Sequence, residues 1–87
     1  MQTGVKKKRS LEVRNLTHLK RGESGILDRL DLPEDDARRL MEMGFVPGET
    51  VIVNKVAPLG DPISVKIGTY LLSLRKDEAD AVMVQVQ

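Results

Sequence analysis

Pro33-Glu34-Asp35-Asp36-Ala37-Arg38-Arg39-Leu40-Met41-Glu42-Met43-Gly44-Phe45-Val46-Pro47-Gly48 carries a helix together with its start, its apolar face and its stop. Pro33 suits an opening turn, because it donates no N–H and its φ is already set. Glu34, Asp35 and Asp36 put negative charge at the positive end of the helix dipole. Ala37, Leu40, Met41 and Gly44 recur at i, i+3, i+4, i+7 and form one narrow apolar stripe. Glu34 with Arg38, and Asp35 with Arg39, are favourable i,i+4 pairs on the wet face. Gly44 is placed as a left-handed stop, with Phe45 beyond it positioned to pack back on Leu40. The spacing predicts one helix over residues 34–43. Pro47-Gly48 then signals a type II turn.

Downstream of that turn the period changes from helical to alternating. Thr50 to Val56 is a β-branched run of strand length. Pro58-Leu59-Gly60-Asp61-Pro62 breaks it. Ile63, Val65 and Ile67 alternate with Ser64 and Lys66, as in a strand with one wet face. Gly68-Thr69 fits a two-residue hairpin, and Tyr70 to Arg75 returns as its partner. Asp77-Glu78-Ala79 reads as a capped turn before a last strand through Val82, Val84 and Val86.

Upstream, Gly22 and Gly25 bracket a turn into a strand over Gly25–Leu30, with Ile26 and Leu30 on one face and Leu27 on the other. Leu16 and Leu19 pack inward from a short N-terminal turn that Asn15 or Thr17 is placed to cap. The sum is five short strands and one inserted helix. That predicts a mainly β domain, a small barrel or sandwich.

The chain has 87 residues, 40% of them apolar and 31% charged, enough for one modest core and no second domain. Net charge is +1, unevenly placed: residues 1–23 carry seven Lys/Arg against two Glu, and residues 24–48 carry three against six acids. The excess lies in Lys6-Lys7-Lys8-Arg9, so residues 1–10 are expected to be a basic, flexible tail and residues 11–87 the domain. A binding role for that tail toward anionic lipid or nucleic acid is the competing expectation. No apolar run is long enough for a membrane-spanning helix, and the start lacks a signal sequence's apolar core. A soluble protein that stays where it is made is expected.

The inventory argues against covalent chemistry. There is no cysteine and a single histidine, His18, with no nucleophile near it in sequence. Ser10, Ser24, Ser64 and Ser73 lack a nucleophile-elbow setting, and the glycines form no phosphate loop. Glu34-Asp35-Asp36 and Asp77-Glu78-Asp80 sit at element starts, where capping and dipole effects account for them. Without Cys, and with one His, no catalytic, cofactor or metal residues are expected. Phe45 and Tyr70 are the only aromatic residues, too few for stacking bases or gripping polyproline. Nucleic acid is therefore not an expected partner.

In order and spacing, several segments together resemble the ferrous iron transport protein A (FeoA) family. They are Leu16-x-x-Leu19-x-x-Gly22, Arg38-Arg39-Leu40-x-x-Met43-Gly44-Phe45-x-Pro47-Gly48, Ala57-Pro58-Leu59-Gly60-Asp61-Pro62, Leu72-x-Leu74-Arg75 and Glu78-Ala79. Met43 and Phe45 stand where that family more often has Leu. The resemblance implies an SH3-like barrel with an added helix and a cytoplasmic location, peripheral at the inner face of the cell membrane. It also implies a non-enzymatic, accessory or regulatory role in bacterial ferrous-iron uptake beside the GTPase-bearing permease FeoB. Any association with Fe²⁺ rests on that resemblance alone.

Within that expectation, Pro58, Leu59, Gly60, Asp61 and Pro62 are the candidates for a partner interface. Two prolines restrain the loop before binding, and Leu59 is an apolar side chain in a turn. Leu59 folded back as a lid on the barrel is the alternative. The same barrel also resembles the C-terminal module of iron-dependent repressors, so a metal-responsive regulator module is the second functional reading. Open strand edges make weak self-association a further expectation.

Overall fold

The structure, a computed structural model, describes residues 12–86; the basic run Lys6–Arg9 and Leu11 lie outside them. In chain order the elements are β1 (Glu12–Asn15), a 3₁₀ turn (Leu16–His18), β2 (Ser24–Leu30), α1 (Glu34–Glu42), β3 (Thr50–Val56), β4 (Ile63–Ile67), β5 (Tyr70–Leu74), α2 (Lys76–Asp80) and β6 (Val82–Val86). The strands form one antiparallel sheet in the order β1-β6-β2-β3-β4-β5. Its inner face holds Leu27, Val51, Val53, Ile63, Val65, Ile67, Leu74, Val82 and Val84. Leu16, Leu40, Phe45 and Ala79 close the core from the turn, the helices and the loop after α1.

The mainly β expectation holds, with six strands among the described residues where five were expected. The sixth, β1, pairs in register with β6 from Glu12↔Val86 to Asn15↔Met83. It buries none of its side chains fully, so it lacks the alternation that marks a half-buried strand. Asn15 does occupy the N-cap position of the 3₁₀ turn, but its side chain makes no capping bond to the backbone. Asp77-Glu78-Ala79 is likewise more than a turn. It lies in the short helix α2, where Glu78 Oε1 accepts the backbone N–H of Arg75 at 2.9 Å.

α1 begins and ends where its residues dictate. Pro33 stands one position before the helix, and its carbonyl accepts the Ala37 N–H at 2.9 Å. At the other end the Phe45 N–H reaches Leu40 O and the Gly44 N–H reaches Met41 O, each at 3.0 Å. That is the paired closure of a Schellman ending, with Gly44 at φ +107° and Phe45 wholly buried. The stripe is narrower than expected, because Met41 is 44% exposed and faces solvent. The wet face also pairs differently. Arg38 lies 3.7 Å from Glu34 and 3.5 Å from Asp35, while Arg39 pairs with Asp36 at 3.3 Å and not with Asp35.

β2 carries the main departure in side-chain direction. Leu27 pairs with Val84, but the next pairing is Arg29↔Met83, so Asp28 is an extra residue, a β-bulge. A bulge inverts the alternation beyond it. Gly25 and Leu27 face inward before it, Ile26 faces out, and Leu30 packs on the core after it. Ile26 and Leu30 therefore do not share a face. Gly25 is needed for close approach: a Cβ there would lie 3.0 Å from Gln85 O and from Val84 Cβ.

Candidate docking surface

The segment from Ala57 to Pro62 links β3 to β4 and is tied down by its own backbone. Gly60 N–H donates to Ala57 O at 2.7 Å, and Ala57 N–H donates to Pro62 O at 3.1 Å. Pro58 and Leu59 are thus the central residues of a turn. Leu59 does not have a positive φ, which makes the turn type I-like, with Pro preset at its first central position. The Asp61–Pro62 peptide bond is cis. Asp61 Oδ1 accepts the Lys76 N–H at 3.0 Å, fixing the loop to the start of α2. These bonds hold Leu59 at the tip, 93% exposed. It does not fold back as a lid.

Beside the turn runs a shallow groove of about 300 Å³ lined by Lys55, Ala57, Pro58, Pro62, Ser64 and Ser73. Its floor is a row across three strands, since Lys55 pairs with Ser64 and Ser64 with Ser73. The five interface candidates form one turn, and Pro58 and Pro62 also wall this groove. Lys55, Ser64 and Ser73 were not singled out from sequence. The alternation of Ile63, Val65 and Ile67 does turn Ser64 outward. Its neighbours, however, follow from strand order, which no local pattern carries.

Elsewhere several polar groups are engaged with one another. His18 Nδ1 lies 2.9 Å from Asn15 Oδ1, and the Thr17 hydroxyl donates to Asp80 Oδ1 at 3.0 Å, joining the N-terminal turn to α2. At the β2 bulge, Asp28 accepts from Gln85 Nε2 at 2.8 Å and pairs with Arg29 at 2.8 Å. The Gln85 hydrogen bond, with Arg29 adding to it, holds the Asp28 carboxyl below the ordinary aspartate value against a smaller effect of desolvation. Arg29 is held above its ordinary value, chiefly by its hydrogen bonds to Asp28 and then Asp31. Among the described residues no three His, Cys, Asp or Glu side chains are grouped to hold a metal ion. No helix among them is long and apolar enough to cross a membrane.

Known proteins share this fold. The FeoA domain model matches residues 14–86. A curated relative, the Fe(2+) transport protein A/Fe(2+) transporter FeoB fusion protein of Porphyromonas gingivalis, is 35% identical over 71 residues. The match covers 82% of this chain and only 8% of that much longer protein. The solution structure of iron(II) transport protein A from Clostridium thermocellum is 44% identical, with a TM-score of 0.77, over 83% of this chain and 44% of that one. The zinc-complexed FeoA of Stenotrophomonas maltophilia, described as a procaryotic SH3 domain protein, is 38% identical with a TM-score of 0.70, over 80% and 87%. A manganese-dependent transcriptional repressor shares the fold alone, at 22% identity and a TM-score of 0.78 over 88% of this chain and 43% of that one. With the six-stranded antiparallel sheet, the glycine-stopped helix and the matched span in agreement, the chain belongs to the FeoA domain family.

Proposed function

We propose that the protein is a non-enzymatic accessory of ferrous-iron uptake that docks on the cytoplasmic, GTPase-bearing part of an FeoB-type permease, with the Pro58–Pro62 turn in the contact. The observation that carries the reading is Leu59, a large apolar side chain held 93% exposed at the tip of a pinned turn. The loop is already ordered, so a partner that covers Leu59 loses little conformational entropy there. The Porphyromonas gingivalis fusion supports the identity of the partner. In that protein a segment like this one is joined to FeoB in a single chain, which fixes the two at high effective concentration.

Leu59→Ala tests the reading. Burying a leucine side chain is worth about 1.5–3 kcal/mol, so losing most of it should weaken binding roughly 30-fold. The folded protein should lose less than about 0.5 kcal/mol, because Leu59 touches almost nothing within it. Titration of the isolated permease GTPase domain, run beside urea unfolding of the same variant, separates the alternatives. Unchanged affinity would remove the turn from the contact.

A further inference from the structure

The two edges of the sheet are protected unequally. β1 carries Glu12 and Arg14, paired at 3.1 Å, and charge on an edge strand is a common device against recruiting a foreign strand. β5, at the opposite edge, reads Tyr70-Leu71-Leu72-Ser73-Leu74. It has no charge, no proline and no glycine, and it pairs with β4 without a register break. The two-residue connection at Gly68-Thr69 makes Ile67↔Tyr70 a hydrogen-bonded pair, and the alternation continues to Val65↔Leu72 and Ile63↔Leu74. The backbone N–H and C=O groups of Leu71 and Ser73 therefore point away from β4. Among the described residues no other strand pairs with that edge.

The side chains beside the edge state what would lie there. Ile52, Lys66 and Leu71 form one row across β3, β4 and β5 on the outer face, and Lys55, Ser64 and Ser73 form another. Leu71 is 61% exposed, and among the described residues neither Lys55 nor Lys66 is in an ion pair. Neither row contains an acid. Ser73 also floors the groove beside Pro58 and Pro62, so the edge and the Leu59 turn are parts of one surface.

We propose that an extended, acidic segment of the docking partner adds to β5 as a seventh strand, its apolar residues against Leu71 and a carboxylate opposite Lys66. This rests on the docking reading above and names the chemistry of the partner segment. Backbone pairing supplies the attachment, and the side-chain row supplies the selectivity. A second copy of the chain fits less well. A second β5 strand carries no acid to set opposite Lys66.

Amide hydrogen exchange, followed by NMR with the isolated GTPase domain of an FeoB-type permease as the probe, reads the edge directly. The Leu71 and Ser73 amides should exchange quickly in the free protein and slow at least roughly tenfold when the domain is bound. Lys66→Glu should weaken binding about tenfold, as loss of one charge-assisted contact does. Ser73→Pro removes an outward N–H while sparing the β4 ladder and should weaken binding similarly. If that variant does not fold, Leu71→Lys places a charged gatekeeper on the same edge with the same expected effect. Suppose the domain binds and Leu59→Ala weakens it, yet Leu71 and Ser73 stay unprotected or Lys66→Glu binds as tightly as the parent. The added strand is then refuted and the docking reading stands. Protection that rises with protein concentration alone would make a second copy the occupant and refute the acidic segment. No binding by the parent protein would overturn both proposals.

Discussion

Replacing Gly44 by alanine isolates the contribution of one backbone conformation. Gly44 holds φ +107°, and no residue other than glycine has a positive φ among the described residues. A Cβ at this position would meet only Ile67 Cγ2, at 3.8 Å, an ordinary contact. The cost is therefore conformational and not steric crowding. Holding an L-residue on the left-handed side costs about 1–2 kcal/mol, and φ here lies well beyond the usual left-handed minimum near +57°. Alanine's smaller unfolded-state entropy returns part of this, about 0.4–1 kcal/mol. With φ beyond that minimum the upper half of the cost applies, so a net loss of about 1 kcal/mol is expected, a fall in Tm of roughly 4–8 °C for a domain of this size. The chain has no tryptophan and one tyrosine, so urea unfolding followed by far-UV circular dichroism is the suitable assay. The m-value should not change, because both variants expose the same surface. Gly44→Asn should lose less than Gly44→Ala, since asparagine tolerates positive φ better. Alanine within about 0.3 kcal/mol of the parent, or asparagine worse than alanine, would refute the reasoning.

Gly25→Ala should destabilise by a different route. Its Cβ would press at 3.0 Å on a backbone oxygen of β6, which cannot rotate away, so a loss of about 1–3 kcal/mol is expected. Faster amide exchange along β2 and β6 should accompany it, and a variant as stable as the parent would show that the two strands have room to part. Acidification should weaken the β2 bulge. Because the Asp28 carboxyl is held below its ordinary value in the folded chain, its contribution is complete above about pH 3.9 and is lost as pH falls through the lowered folded value. Gln85→Met removes the leading hydrogen bond, so the Asp28 midpoint followed by NMR should rise; an unmoved midpoint would assign the effect to Arg29 instead.

Helix α1 was legible because its signals are all local: Pro33, three acids, a repeating Leu40 and a terminal Gly44 act within a few residues. The turn at Pro47-Gly48 was legible for the same reason, with Glu49 N–H reaching Val46 O at 3.1 Å and Gly48 at φ +97°. Strand β4 alternates without interruption and was read with its faces correct. The ion pairing of α1 and the helix at Lys76–Asp80 departed from expectation through local contacts, whereas the departures in sheet architecture depend on partners distant in sequence. β1 exists because β6 offers it an edge, and its own four residues show no buried alternation. The bulge at Asp28 is stabilised by Gln85, 57 residues away, and nothing near Asp28 announces it. A second bulge at Asn54 shifts the β3–β4 register in the same way. At the candidate docking surface, Pro58 and Pro62 were conspicuous as punctuation. The openness of β5 was not, because being last in a sheet is a property of the whole topology.

The pairing of β1 with β6 also fixes how the domain can be tethered. Glu12 and Val86 are register partners, so the chain enters and leaves the domain side by side at one margin. An attachment at either end then starts from nearly the same point. β5 lies five strand spacings further on in the sheet, each about 4.8 Å. One tether at the Glu12–Val86 margin therefore holds both ends of the described domain at once.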